Sequence, residues 1–152
     1  MTIEFQAGDA LLHVVNTVLR GDIWSDAVYS KFAPADVMQK YSVWVVCRVT
    51  SDVPSNQRGD RDNRTLELRV QAVSEGSSRL TERGASRIYD LLHLSGAQNR
   101  RSMSIGVHHE WNILSVVAER AIRLVPNKDA GTRFFENGYV FNVLMEAKDE
   151  YI

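Results

Sequence analysis

The residues best able to do chemistry stand together at His108-His109-Glu110, since imidazoles and carboxylates serve as zinc ligands and general bases. Their spacing argues against a shared metal. Adjacent residues on a strand point to opposite faces, so the two imidazoles do not share one metal, whereas zinc motifs place ligands one helical turn apart. The expectation is a solvated strand end, with no metal site and no catalytic residue. Cys47 closes the apolar run Val43-Trp44-Val45-Val46-Cys47, where burial raises a thiol pKa, and it reads as a small core residue. Gly59, Gly76, Gly84, Gly96, Gly106, Gly131 and Gly138 are scattered outside any phosphate-cradling spacing, so no nucleotide and no other cofactor is expected. Arg58-Gly59-Asp60 spells an adhesion tripeptide, but three residues in a charged loop arise readily by chance. The remaining constellation is electrostatic. Arg58, Asp60, Arg61, Asp62 and Arg64 alternate in sign, which suits either a solvated hairpin tip or a docking arm whose planar guanidinium groups pair with a neighbour.

The elements that must position these groups follow from periodicity. Leu11, Val14, Val15, Val18 and Leu19 recur at helical spacing across residues 7–20, and Gly21 follows as a stop. Residues 22–40 mix aromatics, charges and Pro34 without a period and read as a packed connection with short extended or helical pieces. Across 41–50, Val43, Val45, Cys47 and Val49 fall on one side of a strand, and Trp44, Val46 and Arg48 on the other. Pro54, Gly59 and dense charge mark 51–63 as a loop, after which Leu66, Leu68, Val70 and Ala72 alternate with polar residues as a second strand. A helix over 77–93 starts at a Ser77 or Ser78 cap and aligns Leu80, Ile88, Leu91 and Leu92. Met103, Ile105 and Val107 alternate as a further strand. Residues 111–125 fit both helix and strand, and extended structure is favoured. A turn at 127–131 leads to a last strand, where Tyr139, Phe141, Val143 and Met145 alternate with Val140, Asn142, Leu144 and Glu146.

The predicted fold is α+β: an antiparallel β-sheet with two helices packed on one face, in helix-strand-strand-helix-strand-strand order. It forms a single domain over residues 1–152, with a long charged hairpin loop at about 51–63. Two helices do not cover both faces of such a sheet, so the other face must be polar or meet a partner. Composition agrees with a folded domain, at 44% hydrophobic and 24% charged residues. The 18 Lys plus Arg against 19 Asp plus Glu leave a net charge of -1, without the basic field that draws a protein to DNA irrespective of sequence. A lone cysteine and an N-terminus lacking a basic, apolar leader point to synthesis in a reducing cytosol, and no apolar run is long enough for a membrane anchor. Trp24, Trp44, Trp111, Phe134 and Phe135 are candidates for either core or interface anchors.

Several stretches in order resemble the tail-terminator and tail-completion (head-tail joining) family of long-tailed bacteriophages. They are Asp9-Ala10-Leu11-Leu12, Ala27-Val28-Tyr29, Tyr41-Ser42-Val43-Trp44-Val45-Val46, the strand Leu66-Glu67-Leu68-Arg69-Val70-Gln71-Ala72-Val73-Ser74, the helix through Ile88-Tyr89-Asp90-Leu91-Leu92, and Gly138-Tyr139-Val140-Phe141-Asn142-Val143-Leu144-Met145-Glu146. The likeness is one of pattern over nearly the whole chain, and residues 95–101 match no family feature. It implies a non-enzymatic virion protein, assembled in the host cytoplasm, that caps the tail tube as a ring, commonly a homohexamer. Its implied partners are other copies of itself, the tail tube protein and a head-completion or neck protein. No membrane and no sequence-specific nucleic acid are implied, although DNA passes through such a ring. The resemblance also tips Arg58, Asp60, Arg61, Asp62 and Arg64 towards a partner-contact loop. Two other readings stay open: a neighbouring neck or head-completion component, and a non-enzymatic adaptor domain that binds one protein partner.

Overall fold

The computed structural model describes residues 3–54, 63–95 and 108–148. The first helix, α1 (Ala7–Arg20), buries Ala7, Ala10, Leu11, Val14, Val15 and Leu19 along one stripe, with Asp9 in its first turn and Arg20 in its last to complement the helix dipole. The aperiodic connection holds two short elements, β1 (Val28–Ser30) and α2 (Val37–Lys40). There follow β2 (Trp44–Pro54), β3 (Asn63–Ser74), α3 (Ser78–Leu92), β4 (Trp111–Leu124) and β5 (Phe135–Ala147). Ser77 caps α3 by accepting a hydrogen bond from the Leu80 N–H at 3.2 Å.

Among the described residues five strands form one sheet, in the order β1-β2-β3-β5-β4. It is mixed rather than wholly antiparallel as expected, because β1 lies parallel to β2 while the other three pairings are antiparallel. Parallel neighbours need a crossover of about a dozen residues, and residues 31–43, which carry α2, return the chain to the same end of the sheet. Three residues of β1 are too few to display a period of two, which is why the sequence pattern missed the strand.

The hairpin is longer and its loop shorter than expected. A bulge between Val49 and Ser51 resets the register, and the ladder then continues through Ser51↔Glu67, Asp52↔Leu66, Val53↔Thr65 and Pro54↔Arg64. Residues 55–62 of the expected loop, the expected strand at Met103, Ile105 and Val107, and residues 96–101 lie outside the described residues. Ser95 itself pairs with Val116 at the edge of β4.

The segment that fitted both helix and strand is the strand β4, and its two bulges explain the ambiguity. They fall between Ile113 and Ser115 and between Ala118 and Arg120, so the residues facing the helices are Ile113, Val116, Ala118 and Ala121, opposite Met145, Val143, Phe141 and Tyr139. Each bulge lengthens a step of two to three, which breaks the clean period of two by which a strand is read.

Both long helices lie against the same face, α1 over β1 and β2, and α3 over β3 and β5. Rows such as Cys47–Val70–Tyr139 and Val49–Leu68–Phe141 run across the sheet beneath them. Phe141, Leu11, Leu19, Leu66, Leu68, Ile88 and Leu92 are fully buried there. Trp24, Trp44 and Trp111 are also buried, Trp44 on the opposite face of the sheet. Asn137 Nδ2 donates to Thr81 Oγ1 at 2.7 Å, a buried bond that ties α3 to β5. The Arg87 guanidinium forks onto Asp22 at 2.6 and 2.8 Å, joining α3 to the turn after α1 and holding the Asp22 carboxyl below its usual range.

Two glycines set how closely the layers approach. A Cβ at Gly84 of α3 would stand 2.5 Å from the Ala72 Cβ on β3, so the absence of a side chain lets the helix sit low on the sheet. A Cβ at Gly138 of β5 would collide with the Val70 carbonyl oxygen and stand 2.5 Å from Gln71 Cα. Backbone cannot retreat as a flexible side chain can. Gly138→Ala is therefore expected to destabilise the domain by about 1–3 kcal/mol, whereas Gly76→Ala, with nothing within 4 Å, should stay within about 0.5 kcal/mol of the parent. Urea unfolding of the two variants side by side checks this.

Candidate assembly surfaces

The charged hairpin divides at the start of β3. Arg64, expected in the loop, is a strand residue whose Nε donates to Asp52 Oδ1 at 2.8 Å across the hairpin, both side chains about one-quarter exposed. A cross-strand partner thus occupies this arginine within the sheet. Arg58, Asp60, Arg61 and Asp62 lie outside the described residues.

The expectation of a solvated strand end at residues 108–110 is overturned. His108 and Glu110 are 4% and 1% exposed, and only His109 reaches solvent. The Glu110 carboxylate accepts the backbone N–H of Glu4 at 3.1 and 3.0 Å and that of Phe5 at 2.8 Å, just ahead of α1. Trp111 Nε1 donates to the Phe5 carbonyl at 3.0 Å, and the Glu110 N–H donates to His108 Nδ1 at 3.1 Å. Phe5 meets both imidazoles edge-on, with centroids 5.2 and 5.5 Å away. A strand-end pattern carries no sign of this, because the groups that satisfy the carboxylate are backbone amides more than 100 residues away in sequence.

Burial alone pushes the Glu110 carboxyl up, but the Glu4 and Phe5 N–H bonds and the neighbouring His109 and His108 outweigh it, so its pKa falls below the ordinary value. Burial pushes His108 down, aided by His109, His13 and Lys148 and opposed by Glu110. Phe5, Asp9, His13, His108 and His109 border a cavity of about 350 Å³. Among the described residues no three His, Cys, Asp or Glu side chains are arranged to hold a metal ion. Cys47 is fully buried beneath α1's side of the sheet, which pushes its thiol up to about 12 and leaves it a poor nucleophile.

The surface that sequence periodicity missed lies on the face away from the helices. There residues 31–38 arch over the start of β2 and enclose a groove of about 450 Å³. Trp44 and Val46 of β2, Val73 of β3 and Phe134 just before β5 supply apolar lining, and Trp44 meets Phe134 edge-on at 5.7 Å. Phe32 stands at its rim, 80% exposed. The polar lining includes Lys31, Arg48, Arg69, Gln71 and Glu136. Arg69 Nε donates to Gln71 Oε1 at 2.9 Å, and Gln71 Nε2 donates to Glu136 Oε1 at 2.7 Å, a relay across β3 and β5. The alternation at Trp44 and Val46 marked a second buried side of β2, but the covering segment has no period to announce it.

No protein-family model matches the chain, and no curated protein matches it. Among solved structures, a chain from the virion of a native gene transfer agent particle is similar, with a TM-score of 0.59 at 18% identity over 91% of this chain and 96% of that one. At that identity the likeness is one of fold.

The latch at Glu110 makes stability depend on pH. A carboxyl with a depressed folded pKa contributes stability that is present above its unfolded pKa and lost as pH falls through the folded one; a His held neutral works in the same direction, from about pH 6.5 downwards. Urea midpoints of the parent are thus expected to fall on acidification. Glu110→Gln should be less stable than the parent at pH 7, with the gap closing as pH drops below the carboxylate range. A gap that is constant from pH 7 to strong acid would show that the charge of Glu110 is not what holds the N-terminal segment.

Proposed function

We propose that this chain is a structural virion assembly protein without enzymatic activity, which caps the finished tail tube of a long-tailed phage-type particle as a ring, six-fold in the family it resembles. Its other surface meets a head-side neck or head-completion protein, and DNA passes through the ring. The observation that carries this reading is the near end-to-end match of its fold to a chain of a virion particle. Support also comes from a sheet with the long helices α1 and α3 on one face and a lined groove on the other, which gives each subunit two unlike surfaces. A closed ring uses such a pair, one surface of each subunit meeting a different surface of the next.

Within this reading the tip residues Arg58, Asp60, Arg61 and Asp62 form the docking arm, and Arg64 belongs to the hairpin that carries it. The test is to produce particles lacking this chain and view them by electron microscopy. Tails without heads, or of uncontrolled length, are the expected result, and normal tails joined to heads would overturn it. Replacing Arg58 and Arg61 together by Ser should change folding stability by no more than about 1 kcal/mol, as for exposed charges, while lowering the yield of joined particles. A variant that melts and assembles like the parent would remove the arm from the interface.

A further inference from the structure

We infer that the groove on the face away from α1 and α3 of one copy receives residues Asp149, Glu150, Tyr151 and Ile152 of the next copy in the ring. The inference rests on the ring reading above and specifies its contact.

The groove calls for an anionic, partly apolar occupant. Among the described residues Lys31, Arg48 and Arg69 line it against a single acid, Glu136, which already accepts from Gln71. Arg48 and Arg69 are directly opposed across β2 and β3, and like charges facing one another across a ladder destabilise it unless an anion lies between them. Beside these cations stand the Trp44 and Val46 side chains, with the exposed Phe32 ring at the rim.

The chain itself contains the complementary segment. Beyond the described residues it continues Asp149-Glu150-Tyr151-Ile152, two carboxylates followed by an aromatic and a branched aliphatic side chain. The carboxylates suit Arg48, Arg69 and Lys31, and the two apolar side chains suit the Trp44 wall and Phe32.

Geometry makes the contact intermolecular. Strand β5 begins beside the groove at Glu136 and ends at Ala147 on the opposite end of the sheet. The cations of the groove lie nearer than its rim, since Arg69 pairs with Val140, seven residues from Ala147; at about 3.3 Å per residue that is roughly 23 Å, while the four residues after Lys148 extend at most about 14 Å. The segment therefore does not reach its own groove, and the groove it fills is that of another copy. Donor and acceptor at opposite ends make the contact heterologous, the kind that propagates around a closed ring.

The test titrates a fluorescently labelled peptide of residues 147–152 with the full chain at low salt. Saturable binding is expected, weakened by salt. It should fall at least about tenfold with Arg48→Glu/Arg69→Glu, or when Lys replaces both acidic residues of the peptide, and return when the two reversals are combined. In the full chain, sedimentation should show loss of self-association for Asp149→Lys/Glu150→Lys and recovery when the groove charges are reversed as well. A peptide that fails to bind at millimolar concentration, or binds the charge-reversed groove equally well, overturns the inference. Rings undiminished by the reversals overturn the docking of this segment while leaving the ring intact. Conversely, charge-dependent peptide binding by a chain that forms no ring keeps the contact and overturns the ring.

Discussion

A sheet five strands wide with two long helices available can be covered on one face only, and most of the molecule is an adjustment to that shortage. On the covered face the packing is close enough that Gly84 admits no Cβ against Ala72, and rows such as Cys47–Val70–Tyr139 are sealed beneath the helices. On the other face the chain improvises. Residues 31–38 fold back over the start of β2, Phe134 closes on Trp44, and the result is a lined groove instead of a second hydrophobic core. Elsewhere on that face, charged and amide side chains such as Glu67, Glu119, Arg120 and Asn142 stay at the surface, with Arg120 reaching Glu67 at 3.4 Å and Asn142 reaching Glu119 at 3.1 Å.

The N-terminal segment is held by a different kind of force. Glu110 is buried, ionised and satisfied by backbone N–H groups ahead of α1, so the cost of taking its charge out of water is offset by bonds that form only when the start of the chain lies against the start of β4. Trp111 adds a bond to the Phe5 carbonyl from the next residue along. The latch therefore joins residues 4–5 to 110–111, and its carboxylate brings the entry to α1 into register with the sheet.

These features give a subunit with two unlike ends. The start of β5 lies by the groove, while its end lies beside the start of β4 and the N-terminal latch. The hairpin of β2 and β3 points to that same second end, since Asn63 pairs with Glu146. Such unlike ends are what a head-to-tail contact between copies requires. Like charges opposed at Arg48 and Arg69 are a local cost to the isolated fold that an acidic neighbour would relieve.

What the sequence determined by itself was the set of long elements, because local spacing is a local property. Leu11, Val15 and Leu19 announce α1, the alternation from Leu66 to Ala72 announces β3, and Ser77 announces the start of α3. The same logic fixed the fold class and the shortage of helices for two faces. Tertiary structure decided whatever depends on partners far along the chain. Three residues of β1 became a parallel strand only because the 31–43 connection returns them beside β2, and the bulged β4 is the extended structure favoured for a segment whose spacing also fitted a helix. Arg64 left the loop for β3, where it pairs with Pro54 and bonds Asp52 diagonally across the hairpin. His108 and Glu110 read as a wet strand end, yet are buried, because the amides of Glu4 and Phe5 satisfy the Glu110 carboxylate and the Glu110 N–H satisfies His108. Spacing records which face a side chain takes on its own element, and it carries no information about which backbone or which aperiodic segment will arrive to cover it.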